Sequence, residues 1–562
     1  MKFSGRPGVA EIMALVLLAV FAARLLDSGE RNTLTVDEPH YMGVGLYLWE
    51  SGDYHYYETL GFHPPLTHHL AALPLLGLDL GTRTVSPQIG ADLLGGTDPD
   101  PRLLRKLSRT PFIALACWGA LLLFLWAREV GGARAGLLAV ALYTLSPTIL
   151  AHGSLIHSDI TVTVFFIQAL YAFWRWWARP GALRFVVCGI SLGLALLAKL
   201  SALILLPCLG LLFLAIEYGV PPFAPRPKSE TPSRRLSWIL LPGIRATASL
   251  AALIFLALAT LWVGYGFSFA LEEGLEGPYA GVLLPSFVHA LLFDVAANTV
   301  GRGIYFLGEI GSGDRFWYLI PAAWALKTPL PALILLGWAL IPRARIVPPS
   351  APSSETEAAS RGDAQATASF MVALLVAIFV GIVIFWVRVP LGLRYLLPLL
   401  PLISLVVGIR LGEQVGSRRL AVIVLVGWLG FVGVRAHPHY LAYFNAIAGG
   451  SSGAHRFLVD SNFDWGQDLG TLAAEMRSRG NPPIRLAYFG PEPPERYGLR
   501  AQRLYGCDPV KGWVAISATL LRGLYSAGNS FQQAPPGCYD WLLALDPVAE
   551  PGYSILLYNV PE

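Results

Sequence analysis

Two adjacent carboxylates, Asp37 and Glu38, stand where a first apolar run, Val9 to Leu26, gives way to polar sequence. Pro39, His40 and Tyr41 follow, then Tyr54-His55-Tyr56-Tyr57-Glu58 and Phe62-His63-Pro64-Pro65. Ionisable residues at the mouth of an apolar segment are costly, so their presence implies a use. Two carboxylates in contact cannot both ionise freely. One titrates upward and can act as a general base, while its neighbour binds a metal or tunes that base. The bland alternative is a helix cap or surface turn shaped by Pro39.

Other ionisable residues sit in equally apolar settings. His157-Ser158-Asp159 opens an apolar run. Ser158 or Asp159 caps a helix there, or Asp159 faces the Asp37 cavity and holds a metal or orients a catalytic group. Lys327, within Trp324-Ala325-Leu326-Lys327-Thr328-Pro329, lies well inside an apolar run and needs a counter-anion. A lipid phosphate or an internal carboxylate would serve. Arg388 and Arg394, the latter beside Tyr395, flank a short polar link, and arginine grips phosphate through two parallel hydrogen bonds. Their alternative use is interfacial anchoring. His55, His63, His68 and His69 cluster in a chain with 11 histidines, yet without compact zinc spacing. A metal thus remains unassigned, with Asp37, Asp159 and His63 as candidate ligands and a divalent cation as the candidate cofactor. In Asp460-Ser461-Asn462-Phe463-Asp464-Trp465-Gly466-Gln467-Asp468, Trp465 could stack on a sugar ring, or the stretch could supply turns and an N-cap.

The elements that must position these residues are mostly membrane helices. Of 562 residues, 54% are hydrophobic and 14% charged, which excludes an ordinary soluble domain. The net charge of +4 gives no nucleic-acid footprint. Apolar runs of about 20 residues recur. They fall at 9–26, 107–127, 133–150, 159–177, 183–198, 200–217, 246–265, 317–341, 369–387, 395–409 and 419–435. The first is read as a retained helix, since no small-residue cleavage pattern precedes Asp37. The run Phe185–Ile216 is too long for one span, so it is read as two helices with Lys199 between them near the outer face.

With that count, Lys2, Arg6, Arg128, Arg134, Arg175, Arg179, Arg184, Arg226–Arg235, Arg343, Arg345, Arg361, Arg410, Arg418 and Arg419 all fall on one side. That side is the cytoplasm. Residues 1–435 then form a transmembrane unit with large outer loops at about 27–106 and 266–316. Residues 436–562 form a small extracytoplasmic α/β domain, with strands expected at Ile484–Phe489, Trp513–Ser517 and Ser554–Tyr558 and a helix at Leu469–Arg479. Leu66–Leu80, too short to span, is expected to lie in the interface. Cys507 and Cys538, on the outer side, are placed to form a disulfide.

The ordered motifs resemble the C-type membrane glycosyltransferases (GT-C), in the bacterial branch related to protein O-mannosyltransferases and lipid A aminoarabinose transferases. The matching pieces are Asp37-Glu38-Pro39, Phe62-His63-Pro64-Pro65-Leu66, Asp159, Leu326-Lys327-Thr328-Pro329, Gly392-Leu393-Arg394-Tyr395-Leu396-Leu397-Pro398, and Tyr443-Phe444-Asn445 through Asp464-Trp465-Gly466-Gln467-Asp468. His63 stands where the aminoarabinose transferases carry a lysine. The resemblance implies a polyprenyl-phosphate-linked sugar as donor and an extracytoplasmic acceptor, which is a protein, a glycan or a lipid. It implies inversion at the sugar carbon and a site at the outer face of a bacterial cytoplasmic membrane. Asp37, Glu38 and Asp159 would be catalytic, and His63, Lys199, Lys327, Arg394 and Tyr395 would bind substrate. A transporter or lipid flippase could also use intramembrane charges, but the large outer loops and the lack of an inverted repeat weigh against it. The orientation is open to test: reporter fusions after Arg235 should read as cytoplasmic and those after Pro438 as external. The opposite reading at either point refutes the assignment.

Overall fold

The computed structural model describes residues 8–54, 63–80, 100–223, 237–267, 285–300, 303–311, 315–341, 352–385, 392–524 and 535–561. His55, Tyr56, Tyr57, Glu58, Phe62, Arg388 and the basic clusters at 226–235 and 343–345 lie outside the described residues. Among the described residues six helices are long and apolar enough to cross a membrane: Val9–Arg31, Pro101–Gly131, Leu200–Glu217, Gly243–Gly264, Ala364–Ile382 and Gly416–Arg435. Two bent pairs raise the number to eight if each is one span. The protein is a multi-pass, mostly helical membrane protein, and two of the spans read from the sequence, 133–150 and 317–341, are each broken into a bent pair of helices.

The breaks have local causes. Ala133–Thr144 and Pro147–Gly153 meet at 66°, and Leu319–Lys327 and Leu330–Leu340 at 111°. In both cases the residue before a proline is extended: Ser146 at φ −70°, ψ 120°, and Thr328 at φ −85°, ψ 129°. A proline ring clashes with a helical residue ahead of it, so the helix stops there. Lys327 is therefore not deep inside a continuous span, as its apolar surroundings suggest, but ends a helix at a sharp corner. Lys199 breaks the 182–217 run without proline, at φ −164°, ψ 143°. The sequence-based split at that residue is correct. Its side chain turns inward to a carboxylate (below), which offsets the lost helix hydrogen bonds.

Ser158–Ala178 is buried through most of its length and forms the centre of the bundle. Neighbouring helices approach closely where small residues face each other: a side-chain carbon on Gly408 would stand 2.6 Å from the Ala135 carbonyl oxygen. The short helix Leu66–Ala72 packs on Glu38–Ser51, with Thr67, His68, Ala71 and Ala72 buried.

After residue 436 the chain changes character. Four strands form one sheet in the order Ala501–Arg503, Ile484–Ala487, Gly512–Ser517, Ile555–Val560, the first three parallel and the last antiparallel. Helix Leu469–Ser478 lays Leu469, Leu472 and Met476 against Ile484, Leu486, Ala515 and Leu557. The expected strands and helix are present within a few residues, and Ala501–Arg503 is an edge strand too short to be read from pattern. Cys507 and Cys538 are joined in a disulfide.

This α/β unit is bolted to the helices through Glu492. Its Oε1 accepts from Arg105 Nη1 (2.9 Å) and from the Leu34 backbone N–H (2.6 Å), and Tyr497 donates to its other oxygen. The Arg105 and Glu492 side chains are only 6% and 3% exposed, so losing either partner strands a buried charge. Glu492→Ala should lower stability by about 3–5 kcal/mol. The readout is apparent Tm in detergent, together with faster proteolysis after residue 436. A variant melting within a degree of the parent refutes the bolt.

Candidate active site

The acidic pair divides its labour. Glu38 is fully buried and opens helix Glu38–Ser51. Arg109, in helix Pro101–Gly131, meets it side-on: Nε to Oε1 at 2.8 Å and Nη2 to Oε2 at 2.6 Å. The remaining guanidinium hydrogens go to the carbonyls of Gly29, Asn32 and Thr33, which close the end of helix Val9–Arg31. Glu38 also accepts from the Thr35 N–H at 2.7 Å and the Ile156 N–H at 2.9 Å. Burial pushes the Glu38 carboxyl up, but the Arg109 charge and these hydrogen bonds outweigh it and hold the group below the usual range. With every acceptor direction used, Glu38 has no room to touch a reacting atom. These contacts make Glu38 an anchor of the turn that carries Asp37. Arg109 was missed in the sequence, although a lone arginine three residues into an apolar run was the available signal.

Asp37 is the opposite case. Its side chain is 44% exposed, and Arg394 Nη1 lies 3.8 Å from Oδ2. The turn that carries it is pinned on its far side by the α/β unit. The Thr33 N–H donates to the Gln467 carbonyl and the Val36 N–H to the Trp465 carbonyl, while Thr33 Oγ1 donates to the Gly466 carbonyl. Segment 33–36 thus runs like an added strand along 465–467.

Behind Asp37 the charges alternate. Arg394 is mostly buried, with Nε 3.9 Å from Asp159 Oδ2. Asp159 Oδ1 accepts from Lys199 Nζ at 2.5 Å, and Lys199 lies over the Tyr395 ring, 5.2 Å from its centre. The sequence Asp37, Arg394, Asp159, Lys199 alternates negative and positive, which is how three charges survive burial behind a half-exposed fourth. The structure thus brings five of the sequence-derived site residues into one cluster. His63 joins it: burial and the nearby Lys199 and Arg394 charges push its imidazole down to about 3, so it is neutral at pH 7. A neutral imidazole can donate one hydrogen bond and accept another.

Two expectations about this cluster change. Neither Ser158 nor Asp159 caps the central helix with its side chain; His157 does, its Nδ1 accepting from the Asp159 N–H at 3.1 Å. Asp159 is poorly suited to hold a metal, since Lys199 sits on one oxygen and His157 and Arg394 on the other. Among the described residues no three His, Cys, Asp or Glu side chains converge as a metal-holding group.

Lys327 and Trp465 are close by in different roles. Lys327 is buried, and its ammonium donates to the Leu441 carbonyl at 2.8 Å and to the Asn462 carbonyl, with the Phe444 ring 4.5 Å away. Carbonyl oxygens and a ring face stand in for the expected counter-anion. Asn462 Oδ1 in turn accepts from the Leu393 N–H at 2.9 Å. Gly392, at φ +85°, precedes it; a side chain there would strike Asn462 at 2.0 Å. Lys327 therefore holds the loop that sets the Arg394 turn. Trp465 is buried, with the Arg394 guanidinium 5.0 Å from its ring centre, so that ring stacks on arginine and is not offered to a sugar. Asp468 stands at the N-cap of the helix that follows, but its side chain does not cap it; the carboxylate binds His439 at 2.9 Å and Ser554 at 2.7 Å.

Residues 107–222 match the model of a family described as dolichyl-phosphate-mannose-protein mannosyltransferase. The similarity to that family is confined to this segment, about a fifth of the chain. The matched segment carries Arg109, His157, Asp159 and Lys199 of the cluster above. Among solved structures, ArnT from Cupriavidus metallidurans bound to undecaprenyl phosphate is 15% identical, with 97% of each chain covered and a TM-score of 0.45. The apo form of ArnT gives 13% identity, 98% coverage of each chain and a TM-score of 0.47. The Saccharomyces cerevisiae protein O-mannosyltransferase Pmt1–Pmt2 complex bound to the sugar donor is 17% identical over 47% of this chain and 34% of that one, with a TM-score of 0.34. No curated protein matches the sequence.

The anchoring role of the Glu38–Arg109 pair can be tested by a double variant. Glu38→Gln leaves the Arg109 charge buried without its counter-ion and should cost about 3–5 kcal/mol. Adding Arg109→Met removes the stranded charge and should recover much of that loss, a coupling that a thermal-melt cycle measures. Glu38→Gln protein that melts like the parent but transfers no sugar would return Glu38 to the reacting centre.

Proposed function

We propose that the protein transfers one sugar from a polyprenyl-phosphate donor, undecaprenyl phosphate or a similar carrier, to an extracytoplasmic acceptor, with inversion. The reaction runs at the outer face of a bacterial cytoplasmic membrane, with the N-terminus inside and the 436–562 unit outside. The observation that carries this reading is the half-exposed Asp37 carboxylate beside the buried Arg394, with Asp159 and Lys199 behind it.

The acceptor hydroxyl attacks the anomeric carbon opposite the phosphate. Its proton passes to Asp37 as the new carbon–oxygen bond forms. The bond from that carbon to the phosphate oxygen breaks, and its electron pair stays with the phosphate. Displacement from the opposite face inverts the carbon. The leaving phosphate carries its negative charge into a site where Arg394 is already oriented, and a preoriented cation in a dry site costs little reorganisation during reaction. Lys199 neutralises Asp159, so the Arg394 charge is shared between Asp37 and the donor phosphate and is not spent on Asp159 alone. Neutral His63 and Tyr395 border the same donor site. Lys327 acts on the donor indirectly, by holding the Asn462 loop that fixes the Arg394 turn.

Asp37→Asn keeps shape and removes the base, so transfer should fall by about two to four orders of magnitude. Donor-lipid binding should persist in that variant. Arg394→Ala should weaken donor binding as well as rate. A labelled-donor transfer assay beside a binding measurement, with size-exclusion profiles as the folding check, separates the two. Near-parental transfer by well-folded Asp37→Asn refutes the base.

A further inference from the structure

A second cleft, of about 610 Å³, opens where three helices end together. Val9–Arg31 and Gly416–Arg435 finish there and Pro101–Gly131 begins there, so its floor lies at the boundary between apolar and polar surface. Helix Leu469–Ser478 and Tyr497 form the opposite wall. Five Arg and Lys side chains line it, Arg31, Arg102, Arg105, Lys106 and Arg477, with His439 paired to Asp468, against one lining carboxylate, Glu30.

That concentration runs against the usual bias. Loops on the outer side carry few Arg and Lys, because the cytoplasmic side retains them. The present contacts do not consume these charges. Arg31 pairs with Asp27 at 2.8 Å and Lys106 stands 4.0 Å from Glu30, both in exposed pairs that water screens. Arg102 lies over the Tyr497 ring at 6.0 Å, and Arg477 donates to the Tyr497 carbonyl at 3.1 Å. Only Arg105 is fully committed, to buried Glu492.

A second hollow of about 310 Å³ shares Glu30 and Lys106 with the cleft and runs between Val9–Arg31 and Pro101–Gly131. Its lining joins Ala23, Leu26, Gly29 and Ile113 to the charged Asp27, Glu30, Lys106 and Arg109, the last already paired with Glu38. A basic mouth joined to a groove with an apolar side, Ala23, Leu26 and Ile113, on two helix flanks has the shape of a two-part amphiphile. We propose that the cleft binds the phosphate headgroup of an anionic membrane lipid, with an acyl chain lying in the groove. The site uses none of the Asp37–Lys199 cluster. It rests on the reading that this end of the bundle faces outward, and not on the transfer chemistry.

The test uses the full chain purified into micelles with equimolar phosphatidylglycerol and phosphatidylcholine, with retained lipids counted by native mass spectrometry. The parent should retain phosphatidylglycerol preferentially. Arg102→Gln with Lys106→Gln removes two exposed cations and should weaken that retention on the order of 30-fold. Arg477→Gln alone should weaken it about five-fold, and serves if the double variant does not fold. Arg394→Gln, at the donor site, should leave it intact. Equal retention of the two lipids by the parent overturns the proposal, as does undiminished retention by the cleft variants. Loss of retention in Arg394→Gln alone would place the lipid at the donor site and also overturn it. Displacement by soluble glycerol phosphate at matched concentration would mean the cleft recognises free phosphate, which overturns the lipid assignment. Retention is read without any transfer assay, so failure of the proposed reaction would show separately.

Discussion

The structure depends on one guanidinium. Arg109 is buried in a helix that must cross an apolar medium, and every one of its five N–H groups finds an oxygen. Three of those oxygens are carbonyls at the end of the first helix, which otherwise face no donor. The other two belong to Glu38. A charge in this position is tolerated only if fully paired, so the turn from Gly29 to Glu38 has a single satisfactory arrangement. Asp37 is the residue that this arrangement leaves facing outward. Its position is thus a by-product of its neighbour's burial.

The same economy governs the charged cluster around Arg394. Arg394 is contacted by two carboxylates at 3.8 and 3.9 Å, distances of charge attraction and not of hydrogen bonding. The shorter contact in the group, Lys199 to Asp159, ties down the inner pair. The result is a cation held in place by packing on Trp465 and by the Gly392–Asn462 turn, with part of its charge directed at the open side. Such a group meets a developing negative charge without having to move.

The α/β unit is part of this geometry and not an attachment to it. Residues 465–467 pair with the backbone of 33–36, Glu492 takes the Leu34 N–H, and Lys327 holds the carbonyl of Asn462. Both Asp37 and Arg394 are therefore positioned from the tail side. A cleft also remains between the helix ends and the unit, lined with cations that this docking does not use.

The sequence by itself determined the class of protein and the cast of residues. Apolar runs must be buried or face lipid, so the helical membrane architecture follows from composition alone. Alternating patterns after residue 480 marked the sheet, and Lys199 within a run too long for one span marked a break. Ser146-Pro147 and Thr328-Pro329 carried the signal for two further breaks, which apolarity masked. The tertiary structure decided which member of each polar group stays exposed and which one is tied down. Glu38 and Asp37 are indistinguishable as neighbours in a chain; only the arrival of Arg109, seventy residues on, separates them. Trp465 reads as a sugar platform until Arg394 covers it, and Lys327 reads as an anion partner until two carbonyls reach it. Long-range pairing of charges is set by where helices cross, and no local pattern in the sequence encodes that crossing.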